Sequence, residues 1–292
     1  MKYVAFLDIL GFKDRIRGLK AEEAKDLIRA FSGTIFNIFN GKNSDGKNSN
    51  KKNSNKKNSD KKNSDSKING YIVSDSVILY SEDDSKDSLE ALIKLTREIC
   101  EKEFIENSIL IRGAIEKGEF DKVPAEELPD LEKGLIVGEA YIKAYLVEDS
   151  GSVKVMGVIL SEDVYEDIKD ILDPNITKDI VEETEDKETY YLLRYINVDF
   201  LCENNLTKFI TRAKESKWLP HYYNTIYFVI KKENDKKIEE MFVNIENIVY
   251  NKHSNKNWRD LDLFIKNAFA ERVINDFKSK LLKHIRKKLI QE

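Results

Sequence analysis

Apolar and polar positions alternate, cluster and space themselves along this chain in a way that predicts an α/β core followed by a helical region. Tyr3 to Phe12 begins as an apolar strand, places one carboxylate at Asp8 and breaks at Gly11. Ala21 to Phe39 carries Leu27, Ile28, Phe31, Ile35 and Ile38 at three- and four-residue spacing, which predicts a helix. Gly70 to Tyr80 repeats the first design, an apolar run interrupted by one acid, Asp75, between Ser74 and Ser76. A second amphipathic helix is predicted over Ser88–Phe104, a strand over Ile109–Ile115, a short helix over Glu139–Glu148 and a strand over Val153–Leu160. Ser161–Leu172 opens with Ser-Glu-Asp, a helix start, and Tyr190–Val198 reads as a strand after an acidic loop at Asp179–Lys187.

This order predicts an α/β (α+β) domain over residues 1–199, with helices packed on the sheet. Residues 200–292 read as a helical C-terminal extension, its last helix carrying Leu261, Phe264, Phe277, Leu281 and Ile285 along one face. Between the first helix and second strand, Asn-Ser recurs at Asn43, Asn48, Asn53, Asn58 and Asn63 among Lys, Asp and Asn. Residues 41–67 therefore have almost nothing to bury and are expected to be a disordered insert. A loop of this length costs the fold little, because closure entropy grows slowly with length.

Charge adds exclusions. Of 292 residues, 49 are Lys or Arg and 53 Asp or Glu, giving a formal net charge of −4. That balance makes no electrostatic case for a nucleic-acid or membrane partner. Cys100 and Cys202 form no CxxC pattern, and no apolar run approaches the roughly 20 residues that span a bilayer. The expectation is a soluble, cytoplasmic protein. His221, His253 and His284 have no partners at ligand spacing and are expected at the surface or an interface.

The chemistry centres on the two acids. A carboxylate within an apolar strand is costly unless a positive group meets it. Two of them on neighbouring strands suit Mg²⁺ or Mn²⁺, which prefer oxygen ligands shared with substrate phosphates. Two such ions can activate an attacking oxygen and stabilise a leaving one. Ile9 to Phe12 form a glycine turn close to the start of the first predicted helix, where free N–H groups favour anions. The alternative is that Asp8 or Asp75 caps a turn, or pairs with Arg112 inside the core.

Phe6-Leu7-Asp8-Ile9-Leu10-Gly11-Phe12 resembles the first metal-binding motif of class III nucleotidyl cyclases, and Ser74-Asp75 resembles the hairpin that supplies their second metal-binding Asp. Arg112-Gly113-Ala114-Ile115-Glu116-Lys117-Gly118 is similar to a later family strand, and Gly138-Glu139-Ala140 with Ala144 and Glu148 to a later family helix. The resemblance covers residues 3 to about 160 and implies a ferredoxin-like core that dimerises head to tail. It implies attack of a ribose 3′-hydroxyl on the α-phosphate of a nucleoside triphosphate. Asp8, Ile9 and Asp75 would be the metal positions, and Ile9, Gly11, Phe12, Tyr71, Arg112 and Leu135 would line the substrate.

The departures are specific. Ile142 and Leu146 stand where the family carries its transition-state Asn and Arg, with Lys143 as a nearby replacement for the positive charge. Tyr71 and Leu135 stand where it carries its purine-reading Lys and Asp. The chain also resembles the pyrimidine cyclases of the bacterial Pycsar anti-phage systems, in which a Tyr near the base replaces that Lys. This second likeness implies UTP or CTP as substrate. The departures also leave open a cyclase-like module that binds nucleotide without turnover.

Overall fold

A computed structural model describes residues 1–44, 68–123, 135–150, 155–170, 180–185 and 188–197, with six isolated positions between 205 and 225. The chain opens with strand β1 (Lys2–Ile9) and two helices, α1 (Phe12–Arg17) and α2 (Ala21–Ser44). A hairpin follows, β2 (Ile68–Val73) and β3 (Ser76–Ser81), then helix α3 (Lys86–Asn107) and strand β4 (Ile111–Gly118). The remainder comprises β5 (Asp121–Val123), β6 (Leu135–Val137), α4 (Glu139–Asp149), β7 (Val158–Leu160), α5 (Glu162–Ile168), β8 (Ile180–Glu185) and β9 (Glu188–Leu193).

Seven strands form one mixed sheet in the order β2-β3-β1-β4-β7-β9-β8, while β5 and β6 make a separate ribbon. Strand β1 is central and antiparallel to both neighbours, and β4 runs parallel to β7. The mixed α/β class therefore agrees with the sequence pattern. Period-two alternation in β1 divides its side chains between two cores. Tyr3, Ala5, Leu7 and Ile9 face a large apolar cluster with Phe31 and Ile35 of α2, Leu89 and Leu92 of α3, and Val164 of α5. Val4 and Phe6 face a smaller cluster built on Ala140 and Ala144 of α4. Each large side chain buried this way contributes about 1.5–3 kcal/mol relative to exposure.

Helix α3 shows why the local sequence folds as it does. Ser85 takes the N-cap position and its hydroxyl accepts the Ser88 N–H, satisfying a backbone donor that the helix leaves free. Ser108 ends the helix in the left-handed conformation, its N–H returning to the Glu103 and Phe104 carbonyls.

Several expectations change. Gly70–Tyr80 is not one strand: Val73 pairs with Ser76, so Ser74 and Asp75 form a two-residue turn with Ser74 at φ 58°. The acid thus sits at a hairpin tip. Residues 41–44, expected within the insert, continue α2; the rest of that stretch, residues 45–67, lies outside the described residues. The acidic stretch read as a loop contains β8, paired with β9 at the sheet edge. Helix α1 was not expected, because none of its residues is buried and it has no apolar stripe to read. His221 is buried, not superficial, and Thr225 from the same region donates its hydroxyl to the His221 carbonyl while accepting the Met156 N–H. The last predicted helix, His253 and His284 lie outside the described residues.

Candidate active site

Asp8 is the penultimate residue of β1 and faces the α4 side of the sheet, in phase with Val4 and Phe6. Its cross-strand partners are Ser76 on β3 and Arg112 on β4. Directly opposite residues bring their Cβ atoms within about 5.5 Å, so a hydroxyl and a guanidinium flank the carboxylate. The Ser76 hydroxyl donates to Asp8 Oδ1 at 3.0 Å. Next to it, the Ile9 N–H donates to the Asp75 backbone carbonyl at 3.2 Å, clipping the hairpin tip to the end of β1. The fold therefore brings Asp8 and Asp75 to one edge of the sheet. Asp75 reaches it from a turn, not from within a strand.

A third carboxylate joins them. Glu148 lies one turn beyond Ala140 and Ala144 on the buried side of α4 and forms an ion pair with Arg112. Arg112 thus stands between Asp8 on one side and Glu148 on the other. Gly113 permits this approach of β4 to β1, because a Cβ there would lie 2.3 Å from the Phe6 carbonyl oxygen.

Burial pushes the Asp8 carboxyl up to about 6, with the neighbouring Asp75 charge adding to it; the Ser76 hydrogen bond, Arg112 and Lys13 act in the opposite sense. Burial likewise pushes Glu148 up to about 7, against the pull of Arg112 and with the charges of Asp8, Asp149 and Asp75 adding to the rise. Three acids around one guanidinium leave an excess of negative charge when ionised. A hard cation matches that excess and the all-oxygen donor set. Among the described residues, no group of three His, Cys, Asp or Glu could hold an ion by itself. Asp8 and Asp75 offer oxygen donors here, and an ion held by two carboxylates would need water or substrate phosphate to complete its shell.

The other expected site residues are dispersed. Ile9 buries its side chain in the large core and has only backbone atoms to offer. Gly11 is left-handed at φ 72° and turns the chain into α1, whose first residue, Phe12, packs against the same core. Tyr71 lies on β2 opposite Ile78, its ring stacked on Tyr80 at 5.8 Å. Leu135 opens β6 and pairs with Val123, in a ribbon that follows Gly118 at the other end of β4 from Arg112.

Lys143 does not approach Asp8 within this chain. Its ammonium pairs with Glu139 at 2.9 Å, half exposed, and its other charged neighbours are Glu116 and Asp163. Glu116 itself is buried. Ile142 and Leu146, at 53% and 56% exposure, point away from the core.

Glu148 and Ser76 are the functional candidates that the motif reading did not select. The signal for Glu148 was available: Ala140, Ala144 and Glu148 recur every four residues, which puts the acid on the face that packs on the sheet. No protein-family model matches the chain, and no curated protein matches it.

Proposed function

We propose that the chain is a metal-dependent nucleotidyl cyclase, converting a nucleoside triphosphate, most simply UTP or CTP, into a 3′,5′-cyclic nucleotide and pyrophosphate. The observation that carries this reading is the joint placement of Asp8 and Asp75, clipped together by the Ile9 N–H and flanked by Arg112. The sheet supports it as well. A β-α-β-β-α-β order, counting α2 and α3, with strands arranged β2-β3-β1-β4 is consistent with the ferredoxin-like core that the family resemblance implies.

In the reaction the ribose 3′-oxygen forms a bond to the α-phosphorus, the bond from that phosphorus to the bridging oxygen breaks, and pyrophosphate departs. The hydroxyl proton is released. Mg²⁺ or Mn²⁺, as one ion or two, supplies charge neutralisation for the phosphates and activation of the hydroxyl. Asp8 and Asp75 would hold the ion where β1 ends, and Ser76 donates to Asp8 Oδ1, fixing its rotamer. Arg112 presents a guanidinium beside Asp8, and Glu148 orients it. Tyr71, Leu135 and Lys143 stand apart from this cluster within one chain, so a complete site calls for a second copy. A head-to-tail homodimer would set them against the Asp8 cluster of the partner. A role in anti-phage signalling belongs to the same proposal.

The test is incubation of purified protein with each of the four nucleoside triphosphates and Mn²⁺. Cyclic UMP or cyclic CMP is the expected product, and Asp8→Asn or Asp75→Asn should each lower it by at least about a hundredfold, because each removes metal ligation. No cyclic product from any triphosphate rejects the reading.

A second reading is favoured by one observation: the α4 positions where an Asn and an Arg are expected carry exposed, apolar Ile142 and Leu146. In that case the module binds nucleotide without turnover. Calorimetry would then give nucleoside triphosphate binding that depends on Asp8, with no chemistry.

A further inference from the structure

The face of the sheet opposite Asp8 holds a cavity. It lies between α2 and the β2–β3 hairpin, encloses about 490 Å³ and is walled by Ile35, Phe36 and Phe39 of α2 and by Ile72, Val77 and Leu79 of the hairpin. Its size falls within the roughly 300–1,000 Å³ of small-molecule sites.

Two features distinguish it from a packing defect. Gly33 sits in the middle of the 24-residue helix α2, and a Cβ there would meet nothing within 4 Å. Glycine is the least favourable residue after proline in a helix interior, and here no close packing requires it. A larger side chain at this position would occupy the cavity. Phe36, one turn on, is 65% exposed at the rim although its neighbours Ile35 and Ile38 are fully packed. An apolar body inserted between Phe36 and the hairpin would cover a ring that water now reaches.

Charge selects the class of ligand. Among the described residues lining the cavity, Arg29 carries the one charge, with Ser32 also in the lining. The Arg29 guanidinium meets Asp26 at 3.2 Å, but both side chains are largely in solvent, where such a pair exchanges readily for another carboxylate. One end of the described lining therefore offers a guanidinium and a hydroxyl, and the rest is apolar.

We propose that this cavity binds a small amphiphile, a single apolar chain with one anionic carboxylate, the chain lying against Phe36, Val77 and Leu79 and the carboxylate reaching Arg29. The wall that the ligand would press on is the hairpin whose tip carries Asp75. Binding itself does not depend on the nucleotide chemistry proposed above.

The experiment is calorimetric titration of the full chain with dodecanoate below its micelle concentration, and with dodecanol as the neutral control. Wild-type protein should bind one dodecanoate. Gly33→Leu should weaken binding by about tenfold or more by filling the space, with a melting temperature at or above wild type, since Leu favours helix. Arg29→Gln should weaken dodecanoate about two- to fivefold, the range of an exposed ion pair, and leave dodecanol unchanged. Absence of dodecanoate binding, as when a second copy or the chain's own C-terminal residues cover the cavity, overturns the proposal. So does binding that Gly33→Leu leaves intact, or a loss in Arg29→Gln that is equal for the acid and the alcohol.

Discussion

The two faces of the sheet are built to different specifications. One carries α2, α3 and α5 and closes over a long list of fully buried aliphatic and aromatic side chains. The other carries α4, has a smaller core resting on two alanines, and ends in Asp8, Arg112 and Glu148. It also leaves Ile142, Tyr145 and Leu146 open to solvent. The first face makes the fold; the second spends little on packing and gathers the charges. A molecule organised this way can keep strain and charge at one sheet edge because the opposite face supplies the stability.

Substitutions should separate the two faces sharply. Leu92→Ala, on the α3 side, should lower unfolding free energy by about 2–5 kcal/mol in chemical denaturation, since it leaves a void in close-packed surroundings. Glu148→Ala comes next, at roughly 2–4 kcal/mol, because it removes a buried carboxylate that pairs with the mostly buried Arg112 guanidinium. Glu148→Gln should recover part of that loss, and a variant as stable as wild type would remove Glu148 from the account.

The large core is not wholly apolar, and pH reports on the exception. Burial pushes the Glu103 carboxyl up to about 8 from 4.5, despite hydrogen bonds from Asn107 and Thr34 and with the Glu106 charge adding to the rise. The native state therefore keeps a proton that the unfolded chain releases. Stability contributed by the protonated group is fully present below about pH 4.5 and is lost as pH rises towards 8, at no more than about 1.4 kcal/mol per pH unit. Glu103→Gln should flatten the profile in that window; an unchanged slope would place its origin elsewhere. The smallest effect should come from the α4 surface, where Leu146→Ser should change stability by less than about 0.5 kcal/mol. A larger loss would mean that Leu146 is covered in solution.

Much of this was legible along the chain. The β1 pattern, the stripe of α3 and the Asp8 turn all follow from apolar spacing that has a single structural solution. Elements without a buried side were not readable: α1 has no fully buried residue, and β8 is an acidic edge strand whose partner β9 alone shows aromatic alternation. The hairpin tip was hidden for another reason. Ser74-Asp75 has no glycine, so the turn looks like an interruption of one strand. Sequence proximity alone does not say which face of α4 meets the sheet. Helical phase does, and within one chain it brings Glu148, not Lys143, to the Asp8 side.

No helix among the described residues is long and apolar enough to cross a membrane.

Gly113 sets a mechanical condition on the charged edge. With a Cβ there only 2.3 Å from the Phe6 carbonyl, even a methyl group would pry β4 from β1 and carry Arg112 away from Asp8 without altering a single ionisable group. Interstrand spacing and electrostatic alignment are therefore one variable in this molecule. Gly113→Ala is a means of detuning the carboxylate cluster by distance alone.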